Sequence, residues 1–439
     1  MTGKAAVLMY YGPSNKYSVN ALVAVLDLLD EIDVYLVEDY VKTPFLARSL
    51  LNKYNTVIIG MSFNTLMLTD KKFLDTIFLL NKNKSRNIIT IAGGPHPSGD
   101  PIGSIESLKF DYVIIGEGER SLPKLVEELT EKGDPYNVEG VFAKDDSGKF
   151  VFKKRPRIID LDEYHPFPFW RYLFGAIEIT RGCPIGCKYC QVTYMHGPIL
   201  RHRSIENILY YLDIMGRHEL KDWRFITPNS LCYGMRGYER EPRLEIIEEL
   251  LDKMSLLSRK YNGRIFYGTF PSEVRPEHLT HEAAKVLRKY VSNKNIIIGA
   301  QSGSNRVLKY IGRKHTIEDV YEAVEAAIKN GFTPDVDYII GLPGEQKEDL
   351  EETLVSIKKI TSMGGRVHLH VFLPLPGTPF SMAPPGRIPD WFKKEVYKLL
   401  GKGKLYGQWK MQEELAEKIH ELRIKGIIMP HKKYILQAK

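Results

Sequence analysis

Residues 179–192, ITRGCPIGCKYCQV, place Cys183, Cys187 and Cys190 within eight positions at C-x3-C-x2-C spacing. Bunched thiols in a chain with only four cysteines make a poor disulfide framework and read as metal ligands. A four-iron, four-sulfide cube takes one thiolate per iron, so three cysteines leave one iron open. An open metal position is where a substrate or cofactor coordinates. Gly182 and Gly186 allow the tight backbone path such a loop needs. Spacing alone also admits zinc on the three cysteines with His196 or His202 as the fourth ligand. Cys232, isolated in NSLCYG, reads as small buried filler.

The elements that must position these thiols come from a chain of 439 residues, 43% of them apolar, enough for two or three cored domains. No apolar run approaches eighteen residues and no cleavable leader is evident, so a cytoplasmic protein without a membrane span is expected. The net charge of +8 is dispersed in mixed clusters such as KHTIEDVYEAVEAAIKN, the pattern of solvated helix faces. Nucleic-acid binding finds no support in it.

Along residues 1–135 the apolar runs AAVLMYY, IDVYLVE, NTVIIGMSF, NIITIAGG and DYVIIGEGE alternate with helical spacing, which predicts five βα units of a parallel, Rossmann or flavodoxin-like sheet. Ligands of such sheets lie in the loops beyond the strand C-termini. Here those loops are YYGPSN, SFNT, GGPHP and GEGE, glycine-rich and poor in acid-base groups. Residues 136–171 form a connector with a predicted hairpin turning at DDSG and then a proline- and aromatic-rich stretch.

From 172 to 380 the rhythm resumes with GAIEITRG, WRFITPNS, RIFYGTFPSE, NIIIGAQSGS, DVDYIIGLPGE and VHLHVFLPLPG, six strands that predict a partial (βα)6 barrel. Val320, Ala323, Val324, Ala327 and Ile328 mark one intervening amphipathic helix. The cysteine run directly follows the first strand, at the end where barrel chemistry sits. Residues 381–439 read as a helical C-terminal extension that closes the open barrel or lines a pocket.

The cysteine spacing, with Tyr189 before the last cysteine, resembles the signature of the radical S-adenosylmethionine (SAM) superfamily, and FPSEVRPE, GAQSGSNRVLKYIGRKHT, IIGLPGE and LPLPGTP resemble its later strand ends in order. The resemblance implies a [4Fe-4S] cluster on Cys183, Cys187 and Cys190, SAM on the open iron, and reductive cleavage to a 5'-deoxyadenosyl radical. It further implies SAM contacts from Tyr189, Asn229, Ser272, Glu273, Gln301, Ser302, Gly341, Leu342 and Pro343, with the Gly341–Glu345 turn flanking the adenine. Asn229 of TPNS stands where many members carry a glycine-glycine-acid motif.

The N-terminal part resembles the cobalamin-binding domain of one branch of that superfamily, through GMSFNT, AGGPHP and GEGE. Cobalamin contacts are implied for Tyr11, Asn15, Ser62, Asn64, Gly93, Gly94, Pro95, Gly116, Glu117, Gly118 and Glu119. The first loop, YYGPSNKYS, contains no histidine to ligate cobalt from below. The resulting expectation is a cobalamin-dependent radical SAM methylase served by an electron donor such as ferredoxin or flavodoxin. The alternatives are a cobalamin-independent rearrangement, cyclisation or sulfur insertion and, outside catalysis, a zinc-stabilised binding protein.

Overall fold

A computed structural model describes residues 5–82 and 84–430. Five apolar runs form the strands β1 (Ala5–Tyr10), β2 (Ile32–Val37), β3 (Thr56–Ser62), β4 (Ile88–Gly93) and β5 (Tyr112–Ile114). They pair in parallel in the order β2-β1-β3-β4-β5. Alternate residues of β1 enter different cores: Ala6, Leu8 and Tyr10 face one side, Val7 and Met9 the other. Burial on both faces is why these strands read as continuous apolar runs. The strand order reverses between β1 and β3, which opens a crevice beyond their C-terminal ends.

The hairpin expected in the connector is present as β6 (Val141–Lys144) and β7 (Phe150–Phe152), with Asp145 Oδ1 accepting from the Ser147 and Lys149 amides in the turn. It pairs antiparallel with β5, Tyr112 opposite Ala143, and so extends the N-terminal sheet. After it, Arg171 forms a two-pronged ion pair with Asp27, both contacts at 2.6 Å, and ties the connector back to the N-terminal domain.

The second unit begins with β8 (Ile177–Glu178), then a small antiparallel ribbon of β9 (Thr180–Arg181) and β10 (Arg201–His202). With β8, the barrel strands β11 (Asp222–Ile226), β12 (Arg264–Phe266), β13 (Asn295–Gln301), β14 (Thr333–Ile340) and β15 (Arg366–Val371) occupy the six predicted places. They form two parallel sheets, β8-β11-β12 and β13-β14-β15, joined where Val274 bridges Ile298. The helix Ile317–Lys329 starts at a capping box of Thr316 and Asp319 and buries Val320, Ala323, Val324 and Ala327 against the strands.

The extension does more than the expected helical closure. A short strand β16 (Leu405–Tyr406) pairs in parallel with β15 and adds a seventh member to the open barrel. The helix Trp409–Ile424 then reaches the N-terminal domain, where Ile419, Leu422 and Ile428 complete its core. No described helix is long and apolar enough to cross a membrane.

Candidate active site

The β9–β10 ribbon clamps the base of the cysteine loop. Within it the Cys183 amide donates to Gly197 O at 3.0 Å, and Thr193 Oγ1 donates to Cys183 O at 2.8 Å while accepting from the Gly186 amide at 3.2 Å. Gly182 has φ +88°, and a Cβ there would collide with the Ile199 carbonyl, so the turn requires glycine. Cys187 is buried and Cys183 and Cys190 are half-buried. Burial, with neighbouring Cys187 adding to it, pushes the Cys190 thiol up to about 12, and burial also raises Cys183. Metal must displace these protons before the sulfurs can ligate.

Two observations bear on which metal. Among the described residues the three cysteines form no group whose ligand atoms all lie within 4.8 Å of one another, as ligands of a single zinc ion would. A cube holds its cysteines on separate irons and tolerates wider spacing. Of the histidines considered for zinc, His202 uses both nitrogens, on Thr180 Oγ1 at 2.9 Å and Met235 O at 2.7 Å, whereas His196 keeps a buried Nδ1 without a hydrogen-bond partner, 3.6 Å from Glu117. The donor set therefore fits a cube with an open iron.

Beside the loop sits Arg313, a residue to which the sequence reading assigned no role. Its Nη1 lies 4.0 Å from Cys187 Sγ and 3.3 Å from Tyr189 Oη, its Nη2 donates to Gly299 O, and its buried Nε has no partner. A guanidinium with an unspent donor fits a carboxylate-bearing ligand of the open iron. The bare backbone of Gly299 leaves room for two more polar groups, since a Cβ there would come within 2.8 Å of Glu273 Oε2 and 2.9 Å of Gln301 Nε2. Gln301 holds φ +72° at a bulge in β13, a left-handed conformation that non-glycine residues keep where surrounding structure enforces it. Tyr189 packs with Leu342, Phe372 and Phe380 in an apolar cluster, a wall suited to a flat ring; the two phenylalanines follow β15 and carried no signal in the sequence.

Other implied SAM contacts are spent internally. Asn229 bonds His278 Nδ1 at 2.7 Å and accepts from the Arg275 and Leu231 amides. Ser272 Oγ meets Ser230 Oγ at 2.8 Å, Ser302 Oγ accepts from the Ser304 amide, and Gly341 packs on Gly386 and Arg387. Pro343, in the same turn, is half-buried.

Glu345 ends that turn. Its Oε2 accepts from the Gly341 amide at 2.7 Å, its Oε1 is buried without a partner, and burial pushes its carboxyl up to about 8. A raised folded-state pKa makes ionisation costly in the native protein, so stability falls as pH rises from about 4.3, the unfolded value, towards 8 and then levels. Relative to wild type, Glu345→Gln should gain up to about 5 kcal/mol by pH 8 and nothing at pH 4. Thermal midpoints of the two proteins across that range test this, and a pH-independent difference would refute it.

The crevice of the N-terminal sheet is a cavity of about 360 Å³. Asn15, Ser62, Asn64, Gly93, Gly94, Pro95, Gly116, Glu117, Gly118 and Glu119 line it, whereas Tyr11 does not. Gly94 has φ +89° and sits against Ser62 and Phe63, while a Cβ on Gly93 would meet nothing within 4 Å. Asn15 bridges two loops, donating to Tyr10 O and Ser62 O at 3.1 and 2.8 Å. Glu117 and Glu119 bind barrel arginines: Arg201 grips Glu117 at 2.5 and 2.8 Å and Arg181 grips Glu119 at 2.6 Å. Burial alone would raise Glu117, but His196, Arg201 and Arg181 around it hold it well below the usual range. These two carboxylates hold the domains together.

The far wall of the cavity includes Met195 and His196 of the helix Gln191–His196, which begins immediately after Cys190. Gln191 Nε2 donates to Pro95 O at 3.1 Å and Pro376 O at 2.7 Å, linking the GGPHP loop, the cysteine loop and the end of the barrel. The cavity and the cysteine loop thus share one helix.

Residues 177–357 match the family model of the radical SAM superfamily. An uncharacterized methyltransferase of Pyrococcus horikoshii is 26% identical over 341 residues, covering 75% of this chain and 69% of that one. A threonylcarbamoyladenosine tRNA methylthiotransferase of Thermotoga maritima, MtaB, is 29% identical over 222 residues, 50% of this chain and 48% of that one. Among solved structures, TsrM of Kitasatospora setae, a radical SAM methyltransferase with cobalamin and a [4Fe-4S] cluster bound, superposes with TM-score 0.66 at 14% identity over 87% of this chain and 74% of that one.

Proposed function

We propose, from the premise that this chain is a radical SAM enzyme of the superfamily matched over residues 177–357, that it is a cobalamin-dependent methyltransferase acting on an unactivated centre. The observation that carries the reading is the cavity beyond β1, β3, β4 and β5, walled by the helix Gln191–His196 that directly follows Cys190. A corrinoid held there would lie next to the cluster loop, as methyl transfer from SAM to cobalt requires. The likeness to TsrM over both domains supports this arrangement; the MtaB match spans only half of the chain.

The residues would divide the work as follows. Cys183, Cys187 and Cys190 hold the cluster, and Arg313, Gln301 and Glu273 supply polar contacts to SAM on the open iron. Tyr189, Leu342, Phe372 and Phe380 exclude water from the adenine side. Gly93, Gly94 and Gly116 let backbone approach the corrinoid. When bound, the cluster and cobalamin supply the reducing electron and the methyl carrier; the protein binds, orients and shields them. An external one-electron donor of the ferredoxin or flavodoxin class completes the system.

Gln301→Ala and Arg313→Gln should each weaken SAM binding by about 1–3 kcal/mol through lost hydrogen bonds to its charged groups, with iron content unchanged. The measurement is the SAM concentration that perturbs the paramagnetic spectrum of the reduced cluster. Wild-type affinity in both variants would remove these residues from the site.

A further inference from the structure

The strands β14 and β15 bring together a side-chain cluster that the reading above leaves unused. Their register sets Asp337 opposite His368, with His370 two residues further along. The alternate residues Val336, Tyr338, Val367 and Leu369 lie in the packed core, so Asp337, His368 and His370 occupy the inner face of the barrel. His368 Nδ1 is 3.1 Å from Asp337 Oδ1 and 3.1 Å from His370 Nε2, and His370 Nε2 is 3.9 Å from Asp337 Oδ1. Tyr406 of β16 stacks on His368 with centroids 4.6 Å apart.

Protons alone do not satisfy this arrangement. Gln412 Oε1 accepts from the Val371 amide at 2.9 Å, which fixes the side-chain amide so that its Nε2 donates to His370 Nδ1 at 3.1 Å. Neutral His370 therefore carries its hydrogen on Nε2, aimed at His368 Nδ1. If His368 Nδ1 accepts that hydrogen, its lone pair also faces the Asp337 carboxylate. If His368 Nδ1 instead donates to Asp337, two N–H groups confront each other at 3.1 Å. One contact is repulsive either way, whereas a central cation makes all three attractive.

We propose that Asp337, His368 and His370 form a binding site for one divalent transition-metal ion of the zinc or iron(II) class, with open positions towards the barrel lumen. Metal–nitrogen and metal–oxygen bonds of about 2.0–2.2 Å place neighbouring ligand atoms about 3.0–3.5 Å apart, close to the spacing present. Two imidazoles and one carboxylate are a borderline-soft donor set that selects such metals over calcium or magnesium. The histidine side chains are 31% and 27% exposed, so an ion can enter. On binding, the His370 proton moves to Nδ1 and the Gln412 amide turns so that Oε1 accepts it, giving up its bond from the Val371 amide. The site uses none of the cluster cysteines and does not depend on cobalamin.

Anaerobic, cluster-loaded full-length protein titrated with Co²⁺ alone tests this. Wild type should bind one equivalent with visible d–d absorption that Zn²⁺ displaces, and His368→Ala should lose it with the cluster iron unchanged. Asp337→Asn, which keeps the side chain's shape, should weaken binding at least tenfold. Gln412→Glu should tighten it about tenfold, because a carboxylate can accept from both the Val371 amide and His370 Nδ1–H. Equal Co²⁺ binding by wild type and Asp337→Asn, or no bound cobalt in wild type, would overturn the proposal.

Discussion

Replacing Cys183, Cys187 or Cys190 with alanine should strip the protein of its iron and sulfide and abolish SAM cleavage. Anaerobically reconstituted wild type should be brown and carry about four irons and four sulfides per chain, and should yield 5'-deoxyadenosine with a strong reductant. Each cysteine is expected to hold a different iron, and the loop offers no substitute. His202 is committed to Thr180 and Met235, and Arg313 near Cys187 is a cation. Cys232→Ala should retain the cluster: its thiol contacts Thr227 at 3.7 Å, sits in a small pocket with Leu200 and Met235, and is pushed up to about 12 by burial. A colourless wild type holding one zinc would defeat the assignment.

Full-length, cluster-loaded protein should retain hydroxocobalamin through gel filtration, and Gly93→Val should release it. The full chain is required because the N-terminal core borrows Ile419, Leu422 and Ile428, and the cavity borrows Met195 and His196. Gly93 is the informative position: a Cβ there meets only open cavity, so valine fits the strand and fills the space a corrinoid needs. Overpacking of this kind costs about 1–3 kcal/mol, roughly a 5- to 150-fold loss of affinity. Gly94→Val would test folding instead, because φ is +89° and Ser62 and Phe63 stand against it. The first loop, where a histidine would ligate cobalt from below, has none. The bound cobalt should therefore show no protein nitrogen below it. Retention would let labelled methyl be followed from SAM to cobalt. Failure of the intact, cluster-loaded chain to hold any corrinoid would sink the methyltransferase reading and leave a cobalamin-independent radical reaction.

The sequence by itself determined the features that depend on neighbours in the chain. Three thiols within eight residues define their ligand loop before anything folds, and Gly182 and Gly94 announce turns that no side chain fits. Continuous apolar runs identified the five parallel strands because burial on both faces leaves that local imprint, and the six barrel strands showed as apolar segments, some of them alternating as in VHLHV, between helical stretches. Only the tertiary structure decided what lies across from what. Arg313 reaches Cys187 over 126 positions, and Glu117 meets Arg201 over 84. Glu117 and Glu119, implied as corrinoid contacts, line the cavity and also pair with Arg201 and Arg181, and a glycine-flanked acid at a strand end looks the same whether or not an arginine from another domain meets it. The two-residue strand β16 is too short for any periodicity, and Asp337, His368 and His370 meet because β14 and β15 align in one register; a slip of one residue would turn the cluster into the core. Spacing along a chain records local chemistry, whereas these meetings follow from how strands and domains pack, which no short stretch of sequence records.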